Sequence, residues 1–426
     1  MVVLTMFIVL LLLLAVNVPI AIALAVTTII AMVSAHGTNF LIDTAIVMFD
    51  GSMNFPLIAI PLFILAGAIM NSSGISRRLI AFASALVGFV KGGLSMITIA
   101  ASMFFAEISG SAVADVAALG SILIPAMKKK GYPAPFAAAV CSSAASLAVI
   151  IPPSIPMILY AVMAQTSVVQ LFVAGIIPGI IGGFGMMFVS YIYAKRKNLP
   201  IEEKFNLPNL RKTGKEAALA FILPVVILGG IFGGFVTATE GAGLAVVAAL
   251  IIGAIYRELN FQKLFEATTE GGAQTAIVML LVASSVLIGE FLTIEQVPQK
   301  VAASIIDFTS NKYAILAILN VFLLIIGFFL HSAAAIILVI PIVMPLIQIA
   351  GIDPIHFGII VTLNLAIGQQ TPPVASVLVT ACSVAKADIW EVSKTNIMFV
   401  AVLFVVLMLV TYVPVVPMSL VELFYR

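Results

Sequence analysis

Charge is scarce in this 426-residue sequence: Asp, Glu, Lys and Arg make up 9% of the residues, against 63% that are hydrophobic. Soluble domains carry about a quarter charged residues, so that class is excluded. Two stretches hold no charged residue at all, positions 1 to 42 and the 64 residues from Gly131 to Ala194. Both far exceed the roughly 20 residues of one bilayer crossing, and the chain reads as an all-α polytopic membrane protein. Cysteine is nearly absent: Cys141 and Cys382 both sit in apolar segments without a CxxC partner, which excludes a disulfide framework and a four-ligand metal site. His36, His331 and His356 occur singly and read as hydrogen-bonded structural residues. The 20 Lys/Arg are offset by 18 Asp/Glu and cluster at the ends of apolar runs, which argues against a nucleic-acid partner. The apolar N-terminal stretch lacks the charged start of a signal peptide and is longer than its apolar core of about 7 to 15 residues, so it is expected to be a retained first span.

What is present is a series of apolar runs punctuated by Pro, Gly and charge. They predict helices near 2–34, 45–70, 93–108, 112–127, 134–166, 171–194, 217–236, 241–256, 274–294, 313–330, 332–349, 355–386 and 396–415. The one long polar loop, Lys195 to Glu216, holds seven Lys/Arg against three Glu and should face the cytoplasm. The segments 134–166 and 355–386 each carry a proline pair, Pro152-Pro153 and Pro372-Pro373. Proline removes a backbone donor and clashes with the preceding turn, so each segment reads as one crossing made of two half-helices. Amphipathic stretches 72–91 and 295–311 look interfacial.

A shift of 220 positions superposes Ala114 on Ala334, Ile122 on Ile342, Pro125 on Pro345, Gly131 on Gly351, Pro152-Pro153 on Pro372-Pro373 and Ala161 on Ala381. Both halves repeat one unit: polar tip, apolar helix, then a helix broken by Pro-Pro. Lys128-Lys129-Lys130 precedes Gly131, whereas Gln348-Ile349-Ala350 precedes Gly351, so the copies are expected to be inverted. With 93–127 and 313–349 as re-entrant hairpins, 17 of the 20 Lys/Arg fall on the cytoplasmic face; Lys300, Lys312 and Arg426 do not. Two full crossings in place of each hairpin give the same count, so re-entrance rests on the short, small-residue tips.

Inverted repeats with broken helices are the architecture of secondary transporters, in which substrate and ions bind at exposed backbone ends near the midplane. The candidate site is the tip Ser109-Gly110-Ser111 with the break Ser146 to Ser154, and Gly327 to Ser332 with the break Ala366 to Thr371. Carbonyls and the hydroxyls of Ser109, Ser111, Ser146 and Thr371 suit Na+, which takes several oxygen ligands at about 2.4 Å. The competing reading is that these small residues merely permit close helix packing. Helix N-termini aimed inward favour an anion, helped by Ser111, Ser154, Asn364, Gln369 and Gln370, since the predicted spans hold no Lys or Arg apart from Lys386 at the very end of 355–386. Among intramembrane acids, Asp115 and Glu240 stand between ion pathway and local capping, while Glu107 and Glu290 read as structural. No nucleophile with a base is visible for an enzyme.

The runs SGSAVADVAALGSILIPAMKKKGY at 109–132, SSAASLAVIIPPSIPMILY at 142–160, FGGFVTATEGAG at 232–243 and NLAIGQQTPPVAS at 364–376 resemble the large membrane subunit of TRAP (tripartite ATP-independent periplasmic) transporters, the DctM-like family. Ala238 stands where that family often has Pro. The resemblance covers essentially the whole chain and implies a Na+-coupled importer of an organic acid, of the sialic acid or C4-dicarboxylate class, in the bacterial inner membrane. A stand-alone Na+/dicarboxylate or citrate symporter is the alternative. The implied partners are a small four-helix membrane subunit (Q type) and a periplasmic substrate-binding protein (P type), with no organic cofactor. The resemblance also implies an elevator mechanism and two or more Na+ sites, one from Ser109, Ser111 and the region of Pro152, another from Gly327, Gly368 and Thr371. The expected division is scaffold and arm in 1–91, transport repeat in 92–194, loop, scaffold and second arm in 195–311, second transport repeat in 312–395, and a terminal span in 396–426.

Overall fold

Inside a bilayer no water can satisfy backbone polar groups, so apolar runs must close their own hydrogen bonds, and helices do this within one segment. The structure, a computed structural model, describes residues 2–16, 18–38 and 40–425, without the side chains of Ala15, Glu107, Ile108 and Ser109. The expectations for Glu107, for the Ser109 side chain and for Arg426 therefore lie outside the described residues. Among those described, every regular element is helical, and eight helices are long and apolar enough to cross a membrane.

The first predicted span is two helices, α1 (Val2–Ala15) and α2 (Ile20–His36), because Pro19 interrupts it with φ −53° and ψ 132°. The second is likewise divided, into α3 (Phe40–Ser52) and, after a 3-10 turn at Phe55–Ile58 that contains Pro56, α4 (Ala59–Ser72). The amphipathic arm α5 (Ile75–Val87) follows. The first hairpin comprises α6 (Gly93–Ser109), α7 (Ala112–Asp115), a π-helical turn at Val116–Gly120, and α8 (Ser121–Lys129). The first broken helix is α9 (Ala134–Ala145), a 3-10 turn at Ser146–Val149, and α10 (Ile155–Met163). Then come α11 (Val168–Arg196), α12 (Leu207–Phe232), α13 (Ala238–Ile255), α14 (Phe261–Ile294) and the second arm α15 (Val297–Phe308). The second hairpin is α16 (Lys312–Phe329) and α17 (Ser332–Ile349), and the second broken helix is α18 (Pro354–Gly368) and α19 (Ser376–Ala385). α20 (Ile389–Tyr412) and α21 (Val415–Tyr425) complete the described chain.

Three helices start well before their uncharged cores. The Asn206 side chain accepts from the Asn209 N–H at 3.3 Å, Asn260 from Lys263 at 2.8 Å, and Asp388 from Trp390 and Glu391 at 2.9 and 3.2 Å. Such caps satisfy donors that helix ends leave orphaned, and they set the starts of α12, α14 and α20. Consequently the expected loop Lys195 to Glu216 shrinks to 197–206, and Arg211, Lys212 and Lys215 are helical. The boundary at 395/396 falls inside α20, and α21 had no counterpart among the predicted helices.

The elements recur at the spacing of the sequence repeat. Residues 112–129 correspond to α17, α9 and α18 start 220 positions apart, Gly131 and Gly351 both have positive φ, and the two Pro-Pro bonds are both cis. Lys128 Nζ donates to the Ala385 carbonyl at 2.7 Å, and the Tyr160 hydroxyl donates to the Pro354 carbonyl at 2.6 Å. The start of each broken helix thus lies beside the end of the other, so the two run antiparallel. Each hairpin also packs on the other copy's post-break half, α17 on α10, and α7 and α8 on α19.

At the basic end, the 197–206 loop ties the first hairpin to α11: Gly92 and Gly93 N–H groups donate to the Pro200 carbonyl at 3.1 and 3.3 Å, and Lys130 pairs with Glu202 at 3.5 Å. Burial pushes the Tyr132 hydroxyl up to about 12, so it stays protonated and donates to the same carbonyl. The arm α5 is held by Glu258, which pairs with Arg77 at 2.5 Å and Arg78 at 2.9 Å, with Arg78 3.7 Å above the Tyr256 ring.

Candidate functional site

The first tip rests on the first break. Gly110 turns the chain with φ +59°, and a Cβ there would come within 2.9 Å of the Pro153 carbonyl oxygen, so no larger residue fits without moving the break. The Ile155 N–H donates to the Gly110 carbonyl at 3.4 Å. Within the break, Ser154 Oγ donates to the Val149 carbonyl at 2.8 Å and Ser146 Oγ to the Ser142 carbonyl at 3.1 Å; both serines are fully buried. Ser154 thus pairs a carbonyl of the break, Ser146 adds a second bond to a carbonyl that already accepts its own N–H, and the lone pairs of both hydroxyls remain available to an ion. Pro152 is buried between them, and Ser111 precedes α7 in an extended conformation.

The second tip rests on the second break through a closer backbone contact. A Cβ on Gly368 would lie 2.5 Å from the Gly327 carbonyl carbon, and the Val374 N–H donates to the Phe328 carbonyl at 3.2 Å. Thr371 Oγ1 donates to the Ile367 carbonyl at 3.0 Å, and Gln369 Nε2 to the Leu365 carbonyl at 3.4 Å. The carbonyl ends of α9 and α18 and the N–H ends of α10 and α19 therefore gather at the two breaks. Carbonyl ends attract a cation and N–H ends an anion. No Lys or Arg occurs from 131 to 194 or from 313 to 385, so backbone ends and neutral polar groups are the available recognition elements there.

The remaining candidates divide. Gln370 is buried, and its Oε1 accepts from Ser143 Oγ at 2.5 Å and from Asn396 Nδ2 at 3.2 Å. Asn364 belongs to a different ladder: its Nδ2 donates to Asn320 Oδ1 at 2.7 Å, and Asn320 Nδ2 donates to Thr411 Oγ1 at 3.1 Å. Asn364 and Gln370 therefore serve separate interhelical networks. Ser143, Asn320 and Asn396 escaped the sequence reading; the available signal was an amide or hydroxyl inside an otherwise apolar run. Glu240 proves to be a cap, its Oε2 accepting from the Thr237 N–H at 2.8 Å while the Glu240 N–H donates to Thr237 Oγ1 at 3.2 Å. Asp115 is fully buried at the entry to the π-helical turn.

Among solved structures, the crystal structure of the YdaH transporter of Alcanivorax borkumensis, described as having an unusual topology, superposes with a TM-score of 0.63 over 89% of each chain at 15% identity. That likeness speaks for the fold alone. The isethionate TRAP transporter permease protein DctMQ of Oleidesulfovibrio alaskensis is 42% identical over 91% of this chain, which spans 62% of that relative's length. The C4-dicarboxylate TRAP transporter large permease protein DctM of Pseudomonas aeruginosa is 39% identical over 88% of each chain, and the sialic acid TRAP transporter large permease protein SiaM of Vibrio cholerae is 35% identical over 92% of each. The family model for the DctM component of tripartite ATP-independent periplasmic transporters matches residues 7–416, and with these helices, tips and breaks the chain belongs to that family of membrane permeases.

Proposed function

We propose that the chain is the permease of a TRAP transporter that imports an organic anion with Na+ by an elevator movement. The observation that carries this reading is the seating of two glycine-containing tips on two broken helices, Gly110 on Pro153 and Gly327 on Gly368, in a region without Lys or Arg. Na+ would be held at the breaks by carbonyls with Ser109, Ser111, Ser146 and the Pro152 region on one side, and with Gly327, Gly368 and Thr371 on the other. The anion would lie between them, against N–H ends and the polar groups of Ser111, Ser154, Gln369 and Gln370. Asn364, engaged with Asn320, would support α18 from behind. The hairpins with the broken helices would move as one body past a scaffold that includes α12, α13 and α14, with the copies inverted across the inner membrane. A small Q-type subunit and a periplasmic binding protein would complete the transporter.

Relatives of this chain are named for isethionate, C4-dicarboxylates and sialic acid, so the substrate class is a small organic carboxylate or sulfonate. The test is uptake into proteoliposomes holding the chain with its small subunit, supplied with its binding protein and labelled isethionate, succinate or sialate. Uptake of one substrate is expected only under an inward Na+ gradient. Equal uptake without that gradient rejects sodium coupling, and uptake by this chain alone would favour the stand-alone symporter.

A further inference from the structure

Three side chains from three elements meet at one buried point. Ser143 on α9, Gln370 in the second break and Asn396 on α20 are 0%, 1% and 1% exposed. Ser143 Oγ lies 2.5 Å from Gln370 Oε1 and 2.6 Å from Asn396 Oδ1, and Asn396 Nδ2 lies 3.2 Å from Gln370 Oε1. A hydroxyl has one hydrogen, so Ser143 serves only one of the two amide oxygens at a time. In one arrangement Ser143 and Asn396 both hold Gln370; in the other Ser143 turns to Asn396, and the second break loses its bond to α9. Buried polar groups favour full pairing, so a single hydroxyl facing two amide oxygens leaves the node two alternative pairings.

The position of the node gives those pairings a consequence. Ser143 lies three residues before the 3-10 turn that opens the first break, and Gln370 adjoins Thr371 in the second. The positions equivalent to Ser143 and Gln370 at the 220-residue shift are Leu363 and Ile150, so the fold builds its repeats without this node and places it once. α20, which carries Asn396, packs on both α9 and α18.

We propose that Ser143 and Asn396 are positioning residues that couple the two broken helices, so that cation binding at one break orders the other. The proposal rests on the sodium reading above. Its test is equilibrium binding of radioactive Na+ to the purified full-length chain in lipid nanodiscs. Wild type is expected to bind with a Hill coefficient approaching ~2, the ceiling for two coupled sites. Ser143→Ala and Asn396→Leu are expected to lower it to about 1 while keeping the number of ions bound, with half-saturation raised about threefold or more, as loss of a coupling term requires. Ser143→Thr, which retains the hydroxyl, should restore the wild-type curve. Thr28→Val, which removes a buried hydroxyl on α2 that bonds only to the Leu24 carbonyl of its own helix, controls for general loosening and should leave the Hill coefficient alone. Absence of Na+ binding by wild type overturns the sodium reading and this coupling together. A wild-type coefficient of about 1, or one that survives both Ser143→Ala and Asn396→Leu, overturns the coupling alone.

Discussion

At Gly368 a single methyl group has two opposed effects. Replacing a helical glycine by alanine ordinarily stabilises a helix by about 0.5–1 kcal/mol. Here the added Cβ would stand 2.5 Å from the Gly327 carbonyl carbon and 2.6 Å from its oxygen, and backbone atoms cannot swing aside as a side chain does. The clash should win, and the second tip must part from its break. Gly368→Ala is expected to cut uptake at least tenfold, of the order seen when a binding geometry shifts by about an ångström, with membrane expression preserved. Gly243→Ala, on α13 with no atom within 4 Å of the added Cβ, should transport like wild type. Equal uptake by both variants in the proteoliposome assay would remove the tip and break contact from the mechanism.

Among whole elements, the arm α5 shows how a helix too short and too polar to cross is kept in place. Its apolar face is buried through Ile75, Leu79 and Ala83, and its first turn is tied to Glu258 just beyond α13 through Arg77 and Arg78. Glu258 is 25% exposed, so solvent screens the pairs, and together they are worth about 1 kcal/mol. Glu258→Gln should therefore speed hydrogen exchange of 75–87 by roughly fivefold, the factor corresponding to that energy, without exposing α6. Exchange unchanged within error would assign the arm's placement to apolar burial alone.

For the molecule as a whole, the antiparallel course of the broken helices is the organising feature. Lys128 reaches Ala385 at one end and Tyr160 reaches Pro354 at the other, so the Gly131 and Gly351 turns belong to opposite ends. If the membrane follows the basic clusters, Lys129 faces the cytoplasm and Gln348 the periplasm. In a background with Cys141 and Cys382 replaced by serine, Lys129→Cys should react with an impermeant maleimide only in inside-out vesicles, and Gln348→Cys only in intact cells. Labelling of both from one side would rule out inversion across the bilayer, and with it the proposed alternation of access.

Membrane class, the interruptions at the two Pro-Pro pairs, the 220-residue spacing of the α9 and α18 starts and the amphipathic helices α5 and α15 were legible in the sequence, because each depends on local chemistry: apolar length, proline's missing N–H, and amphipathic spacing. The starts of α12, α14 and α20 were less legible, since a search for uncharged runs stops at the charged first turns that Asn206, Asn260 and Asp388 cap. Glu240 read equally well as ion pathway or cap until its bonds with Thr237 decided for the cap. The partners of Gln370 and Asn364 were beyond reach altogether, because Ser143 and Asn396 lie 227 and 26 residues from Gln370, and Asn320 lies 44 from Asn364. Periodicity specifies which residues must avoid lipid; only the packing of α9, α16, α18 and α20 specifies which polar groups inside then face one another.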